Sequence, residues 1–184
     1  MRTFIAITLP QETKAALAAA MQRLAPVAVD VTWCVGQLHL TLAFLGDIAP
    51  SILPHLSTAM TRVCQTLPAV PCHAYGLGFF GNRRNPKTIW AGVNLSPELE
   101  TLHSALWREL KRFGFSTDED RFRPHITLGR CKERARNQPL TNAMDADTEI
   151  EFGRWAATGI TLYESRPTPK GTRYSPLNKF RLGG

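Results

Sequence analysis

Cysteine is scarce and scattered in this 184-residue chain: Cys34, Cys64, Cys72 and Cys131, with no C-x-x-C pair. That excludes a disulfide framework and makes a reducing compartment, the cytoplasm, the expected location. No secretory apolar core follows Met1, and the apolar run Phe4 to Leu9 is far too short to span a bilayer, so no membrane partner is expected. Cys72-His73 lacks a second ligand pair at zinc-like spacing, and carboxylates and histidines nowhere fall into metal-ligand patterns. No metal or other cofactor is therefore expected. A Gly-rich phosphate loop followed by Lys-Ser/Thr is missing, which argues against a nucleoside triphosphatase. So is a G-x-S-x-G elbow, which argues against a serine hydrolase.

What the chain does have is enough apolar material, 43% of residues, for one domain with a core or two small lobes sharing one. Lys and Arg outnumber Asp and Glu by 22 to 15, a net charge of +7 that favours polyanionic partners through counterion release. The basic residues gather at Arg83, Arg84 and Lys87, and again at Arg121, Arg123, Arg130, Lys132, Arg134 and Arg136. No feature demands an oligomer, and a monomer is expected.

Strand-formers open the chain from Thr3 to Leu9, and Pro10 breaks the run. Leu17, Met21 and Leu24 then form a stripe at helical spacing, predicting a helix over 11–24. A strand follows at 38–45, and a helix at 50–67 with Leu53, Leu56, Met60, Val63 and Leu67 on one face. Further strands are expected at 70–77 and 88–95, separated by the basic turn Gly81-Asn-Arg-Arg-Asn-Pro86. Ser96-Pro97-Glu98 is a helix start with a hydroxyl cap, proline at the first position and an acid in the first turn. Leu99, Leu102, Leu106, Leu110 and Phe113 supply that helix's apolar face, and Gly114 is placed to end it. Residues 124–131 read as a strand, 132–147 as a polar loop, and 158–163 and 173–177 as two final strands.

The two halves repeat. A shift of 86 positions puts Ile7 on Val93, Leu9 on Leu95, Glu12 on Glu98, Leu24 on Leu110, His39 on His125 and Thr41 on Thr127. Strand, helix, gap and His-x-Thr strand follow in the same order within segments of roughly 3–46 and 88–131 of a single domain spanning 1–184. Such units imply an α+β architecture of two related lobes, with helices on one face of each sheet and the other face free to line a cleft.

In a strand, His39 and Thr41 point one way while Leu40 and Leu42 point the other; His125 and Thr127 stand likewise against Ile126 and Leu128. Each motif thus presents an imidazole and a hydroxyl together, anchored by an apolar pair behind. Two such faces confronting one another suit the opening of a cyclic phosphodiester. In-line attack needs a base on water and an acid on the departing oxygen, and two histidines that titrate near neutrality supply both. Threonine hydroxyls, with Arg130 just beyond the second motif, can donate to the non-bridging oxygens. His55, His73 and His103 have no comparable partners and are read as ordinary helix or strand residues.

With these motifs the sequence resembles the two-histidine (2H) phosphoesterase superfamily, in particular the LigT-like branch of RNA 2′,3′-cyclic phosphodiesterases also called 2′-5′ RNA ligases. The resemblance runs through Arg2-Thr-Phe-Ile-Ala-Ile-Thr-Leu-Pro10, Leu38-His-Leu-Thr-Leu-Ala-Phe-Leu-Gly46, Phe122-Arg-Pro-His-Ile-Thr-Leu-Gly-Arg130, Thr161-Leu-Tyr-Glu-Ser165 and Tyr174-Ser-Pro-Leu177. It implies a bilobal fold of two pseudo-symmetric lobes, each with an antiparallel sheet and outer helices, and an active-site cleft between them. It also implies metal-free opening of 2′,3′-cyclic phosphate RNA ends to a 2′-phosphate. His125 would be the base on water, His39 the acid on the 3′-oxygen, and Thr41, Thr127 and Arg130 the phosphate holders. Run backwards, with an RNA 2′-hydroxyl replacing water, the chemistry would join ends through a 2′-5′ linkage. Phe4, Phe79, Arg83 and Arg84 are candidate contacts to base or strand, since stacking beside a basic groove is how single strands are held. Two other readings stay open: a non-catalytic nucleotide- or RNA-binding domain, and a superfamily enzyme for another small cyclic phosphate or a 2′-5′ oligonucleotide.

Overall fold

The computed structural model describes residues 1–117, 121–133, 135–169 and 171–183; Arg134, counted above in the second basic cluster, lies outside them. In chain order the elements are β1 (Arg2–Thr8), α1 (Gln11–Leu24), β2 (Val31–Trp33), β3 (His39–Asp47), α2 (Leu53–Gln65), β4 (Val70–Gly81), β5 (Pro86–Val93), α3 (Pro97–Arg112), β6 (His125–Cys131), α4 (Gln138–Met144), β7 (Glu151–Ala157), β8 (Gly159–Thr168) and β9 (Gly171–Arg181).

The helices form where stripes and caps called for them. Leu17, Met21 and Leu24 are buried along α1, and Leu56, Met60 and Val63 along α2, whose approach through Pro50–Ile52 is a short 3-10 turn. The Ser96 hydroxyl accepts from the Leu99 N–H at 3.2 Å, capping α3. Gly114, at φ +83, ends it in the left-handed conformation, donating to Lys111 O while the Phe115 N–H reaches back to Leu110 O.

Three elements depart from the sequence reading. The stretch 132–147, expected as loop, contains α4, only seven residues long, which buries Leu140 and Met144 and is tied down by polar side chains as well. Asn137 grips Val29 through both its amide oxygen and nitrogen, and the Thr141 hydroxyl donates to Arg83 O. Strand β2 has three residues, and β7 follows no clean alternation of buried and exposed positions, so neither carries a period-2 signal.

All the strands join one sheet of order β7-β4-β5-β6-β3-β1-β8-β9, with β2 beside β6, and every pairing is antiparallel. The order is balanced about its centre: β6 against β3, β5 against β1, β4 against β8, β7 against β9. At the centre β3 and β6 share one rung, Leu40 with Ile126, and β2 adds three pairs to β6: Val31 with Cys131, Thr32 with Arg130 and Trp33 with Gly129. Leu40, Leu42, Ile126 and Leu128 belong to the same buried cluster as Leu17, Leu56, Leu99, Leu102 and Leu106 from the helices. One face of the central strands is therefore packed into the core, and the other carries both His-x-Thr motifs.

Candidate active site

The Leu40–Ile126 rung sets the two motifs side by side, His39 and Thr41 flanking Leu40 on β3 and His125 and Thr127 flanking Ile126 on β6. Both histidines thus stand on the face turned away from the core, one on each of the two central strands.

Each central strand has a bulge just past its motif. The β1–β3 register slips between Ile5 and Ala6, leaving Leu42 as the extra residue. The β5–β6 register slips between Ile89 and Trp90, leaving Leu128. Leu42 with Ala43, and Leu128 with Gly129, are consecutive buried residues, so the alternation restarts out of phase. Phe44 and Arg130 consequently turn outward, onto the histidine side. A bulge strands backbone groups, and here both carbonyls are satisfied from elsewhere. Trp107 Nε1 donates to Leu42 O at 3.3 Å, and the Cys34 N–H to Leu128 O at 2.8 Å.

The imidazoles are oriented alike. His39 Nδ1 lies 2.7 Å from Gln37 O, and His125 Nδ1 lies 2.7 Å from Arg123 O, in each case the carbonyl two residues earlier. A carbonyl only accepts, so each Nδ1 carries the proton and each Nε2 is left as the edge that can take or give one. Burial pushes the His39 pKa down; the bond to Gln37 opposes the shift, and the Arg130 cation adds to it.

Aromatic rings brace both histidines. His39 packs on Phe4 at 4.8 Å between centroids and meets Tyr174 edge-on at 5.2 Å, with Tyr163 stacked behind Phe4 at 5.2 Å. His125 meets Phe80 edge-on at 5.0 Å and lies beside Trp90 at 6.4 Å. Phe4 and Trp90 are 86 positions apart and fill the same place in the two halves. Phe4 pairs across the sheet with Tyr163, whereas Trp90 pairs with Gly78, where a Cβ would sit 2.2 Å from the indole. The larger ring thus stands over the residue with no side chain, and the smaller over tyrosine.

Of the residues singled out from sequence, the fold gathers His39, Thr41, His125, Thr127, Arg130 and Phe4 on one face. It does not bring in Phe79: alternation in β4 turns Phe79 toward the core, under the Arg83 guanidinium at 5.9 Å, and gives the histidine face to Phe80. Arg83 is held by a two-pronged pair with Asp145 at 2.9 and 3.0 Å, and the Arg84 side chain is exposed in the same turn. His103 stacks on Phe122 at 3.8 Å, and burial pushes its pKa down to about 4. Sequence reasoning passed over Phe44, Phe80, Trp90, Tyr163 and Tyr174. The 86-residue shift could have found two of them, since Trp90 answers Phe4 and Phe44 answers Arg130.

Two grooves of about 290 Å³ flank Phe44. One runs from Thr41 and His125 to Trp107, Phe122 and Arg123. The other is lined by Arg2, Phe4, Arg130, Ser165, Thr172 and Tyr174. Among the described residues no three His, Cys, Asp or Glu gather as metal ligands, and no helix is long and apolar enough to cross a membrane.

Residues 14–168 match the model of the 2′-5′ RNA ligase superfamily. The chain belongs to the 2′-5′ RNA ligase superfamily. Within the superfamily it is 30% identical to the RNA 2′,3′-cyclic phosphodiesterase of Thermotoga maritima, over 100% of this chain and 97% of that one. The crystal structure of TT0787 from Thermus thermophilus superposes with a TM-score of 0.85 at 29% identity, covering 100% of this chain and 99% of that one. E. coli LigT complexed with 3′-AMP superposes with a TM-score of 0.78 at 27% identity, covering 98% and 97%. These full-length superpositions extend the superfamily fold over both halves of the sheet.

Proposed function

We propose that this protein hydrolyses the 2′,3′-cyclic phosphate ends of RNA to 2′-phosphates. The observation that carries the reading is the matched orientation of His39 and His125, each with Nδ1 on its own i−2 carbonyl and Nε2 free on one face. The names of the relatives, RNA 2′,3′-cyclic phosphodiesterases from several organisms, support it. His125 Nε2 takes a proton from water as the oxygen attacks phosphorus. The P–O3′ bond breaks, and His39 Nε2, protonated, gives its proton to the departing 3′-oxygen. The Thr41 and Thr127 hydroxyls and the Arg130 guanidinium donate to the non-bridging oxygens as charge gathers there. We read 1–184 as one bilobal domain built on the internal repeat, active as a monomer in the cytoplasm.

The test is hydrolysis of a short RNA ending in a 2′,3′-cyclic phosphate, in EDTA. His39→Ala and His125→Ala are each expected to lower kcat by roughly 10²–10⁴-fold. A 4-nitrophenyl phosphodiester, whose leaving group needs no proton, separates the roles: it should restore His39→Ala far more than His125→Ala. RNA binding without turnover by the wild type would move the assignment to a binding module.

A further inference from the structure

The groove that Arg2 shares with Arg130 holds more positive charge than the reacting phosphate uses. Its walls include the guanidiniums of Arg2 and Arg130 and the hydroxyls of Ser165, Thr172 and Tyr174, and among the described residues no carboxylate lines it. Arg130 is accounted for by the phosphate being opened. Arg2 has no part in that chemistry. Asp47 stands opposite it on β3 but is engaged by the Met1 ammonium at 3.5 Å, and among the described residues Arg2 makes no ion pair. A cleft lined by one sign of charge gathers ligands of the other.

The hairpin of β8 and β9 supplies the hydroxyls. β1 pairs with β8 only from Ala6–Thr161 to Thr3–Glu164, and beyond that rung β8 and β9 run on as a two-stranded ribbon to the Thr168–Gly171 pair. Ser165 pairs with Tyr174 in this ribbon, and Thr172, two places from Tyr174, shares its face. That face leads back to the site, since Tyr174 meets His39 edge-on at 5.2 Å. Alternation in β1 likewise puts Arg2 on the face of Phe4, which packs on the same histidine at 4.8 Å. Arg2, Ser165 and Thr172 therefore continue the phosphate site outward from Arg130 past His39.

We propose that this groove is a second phosphate site, holding the phosphate on the 5′-carbon of the reacting nucleotide through the Arg2 guanidinium and the Ser165 and Thr172 hydroxyls. The inference rests on the cyclic-phosphodiesterase reading of the neighbouring histidines. In an RNA end that 5′-phosphate is the link to the preceding nucleotide, one ribose away from the phosphate on Arg130. A guanidinium matches two phosphate oxygens at once, and each hydroxyl adds a single donor. Contacts of this kind position a strand without reading its bases. The site thus favours the end of a chain over a free nucleoside cyclic phosphate, whatever the terminal base.

The experiment compares three substrates: adenosine 2′,3′-cyclic phosphate, the same compound with a 5′-phosphate, and the diadenosine RNA with a 2′,3′-cyclic phosphate end. The wild type should prefer each of the last two over the first by roughly tenfold or more in kcat/KM, the scale of hydrogen bonds to a charged group. Arg2→Ala should remove most of that preference, Thr172→Val part of it, and Arg2→Lys should keep much of it. Each preference is a ratio within one protein, so a loss of folded enzyme cancels. An unchanged preference in Arg2→Ala overturns the proposal, and so does an equal loss from Arg62→Ala on α2, outside the groove. A wild type that favours the dinucleotide but not the 5′-phosphate overturns it as well. If none of the three is turned over, the phosphodiesterase reading fails, and calorimetry then decides the groove by itself. Adenosine 2′,5′-bisphosphate binding tighter than adenosine 2′-phosphate, and losing that margin in Arg2→Ala, supports the second site; equal affinities overturn it.

Discussion

A histidine that must exchange protons is governed by what touches it, and His39 is the more enclosed case. Burial and the Arg130 cation both disfavour its imidazolium, against the opposing bond to Gln37 O. The active pair carries one proton in total, so activity is lost on the acid side when the second proton is taken up, whichever ring holds the first. With the His39 pKa held below its usual 6.5, the acid limb of kcat/KM should lie below that value. Arg130→Ala removes a cation, which raises the His39 pKa, so its acid limb should move upward while KM also rises. A pH–rate profile of the two proteins, with NMR titration of the His39 ring, checks both directions. A limb that stays put in the variant would show that Arg130 does not act on His39.

At the level of elements, the two bulges decide what reaches the site. Strict alternation from His125 and Thr127 sends Arg130 to the core side, and only the extra residue Leu128 reverses it. The sequence offers no sign of a bulge, so Arg130 could be expected at the phosphate from its nearness to the second motif and from family resemblance, but not from strand alternation. The helical half of the fold was readable, because the stripes of α1, α2 and α3 and the Ser96 cap are local signals. Strand pairing, β2, β7 and α4 were not, because long-range register and side-chain clamps such as Asn137 on Val29 decide them. Within the site the two motifs were legible from their spacing and repetition. The supporting rings Phe80, Tyr163 and Tyr174 were not, being contributed by strands whose neighbours cannot be read from order alone. The bulge at Leu42 yields a direct test: Trp107→Phe keeps the ring but strands a carbonyl that the indole had satisfied. The expected cost is about 1–3 kcal/mol in urea unfolding, together with lower kcat, since Thr41 adjoins the bulge. Unchanged stability would show that the Leu42 carbonyl finds another donor.

At the level of the whole molecule, the surplus of +7 predicts strong salt dependence of RNA binding. Each phosphate neutralised on a single strand contributes roughly 0.7 to the slope of log K against log salt. Arg2, which lines the groove with Arg130, should carry one such contact. Fluorescence anisotropy with a labelled oligonucleotide ending in a 2′-phosphate should show the slope falling by about 0.7 in Arg2→Ala. An unchanged slope would place the strand elsewhere on the surface. The balanced sheet order bears on the site as a whole, because it lets two copies of one motif face each other while their surroundings diverge, Phe44 against Arg130 and Trp90 over Gly78 against Phe4 over Tyr163.

The seam between β3 and β6 has one rung of its own, and β2 lays three further pairs along β6 beside it. It is braced from outside, by the Trp107 indole on Leu42 O at one flank and the Cys34 N–H on Leu128 O at the other. A change at Trp107 or at Cys34 therefore reaches the strands that carry the catalytic pair while both His-x-Thr motifs stay as they are.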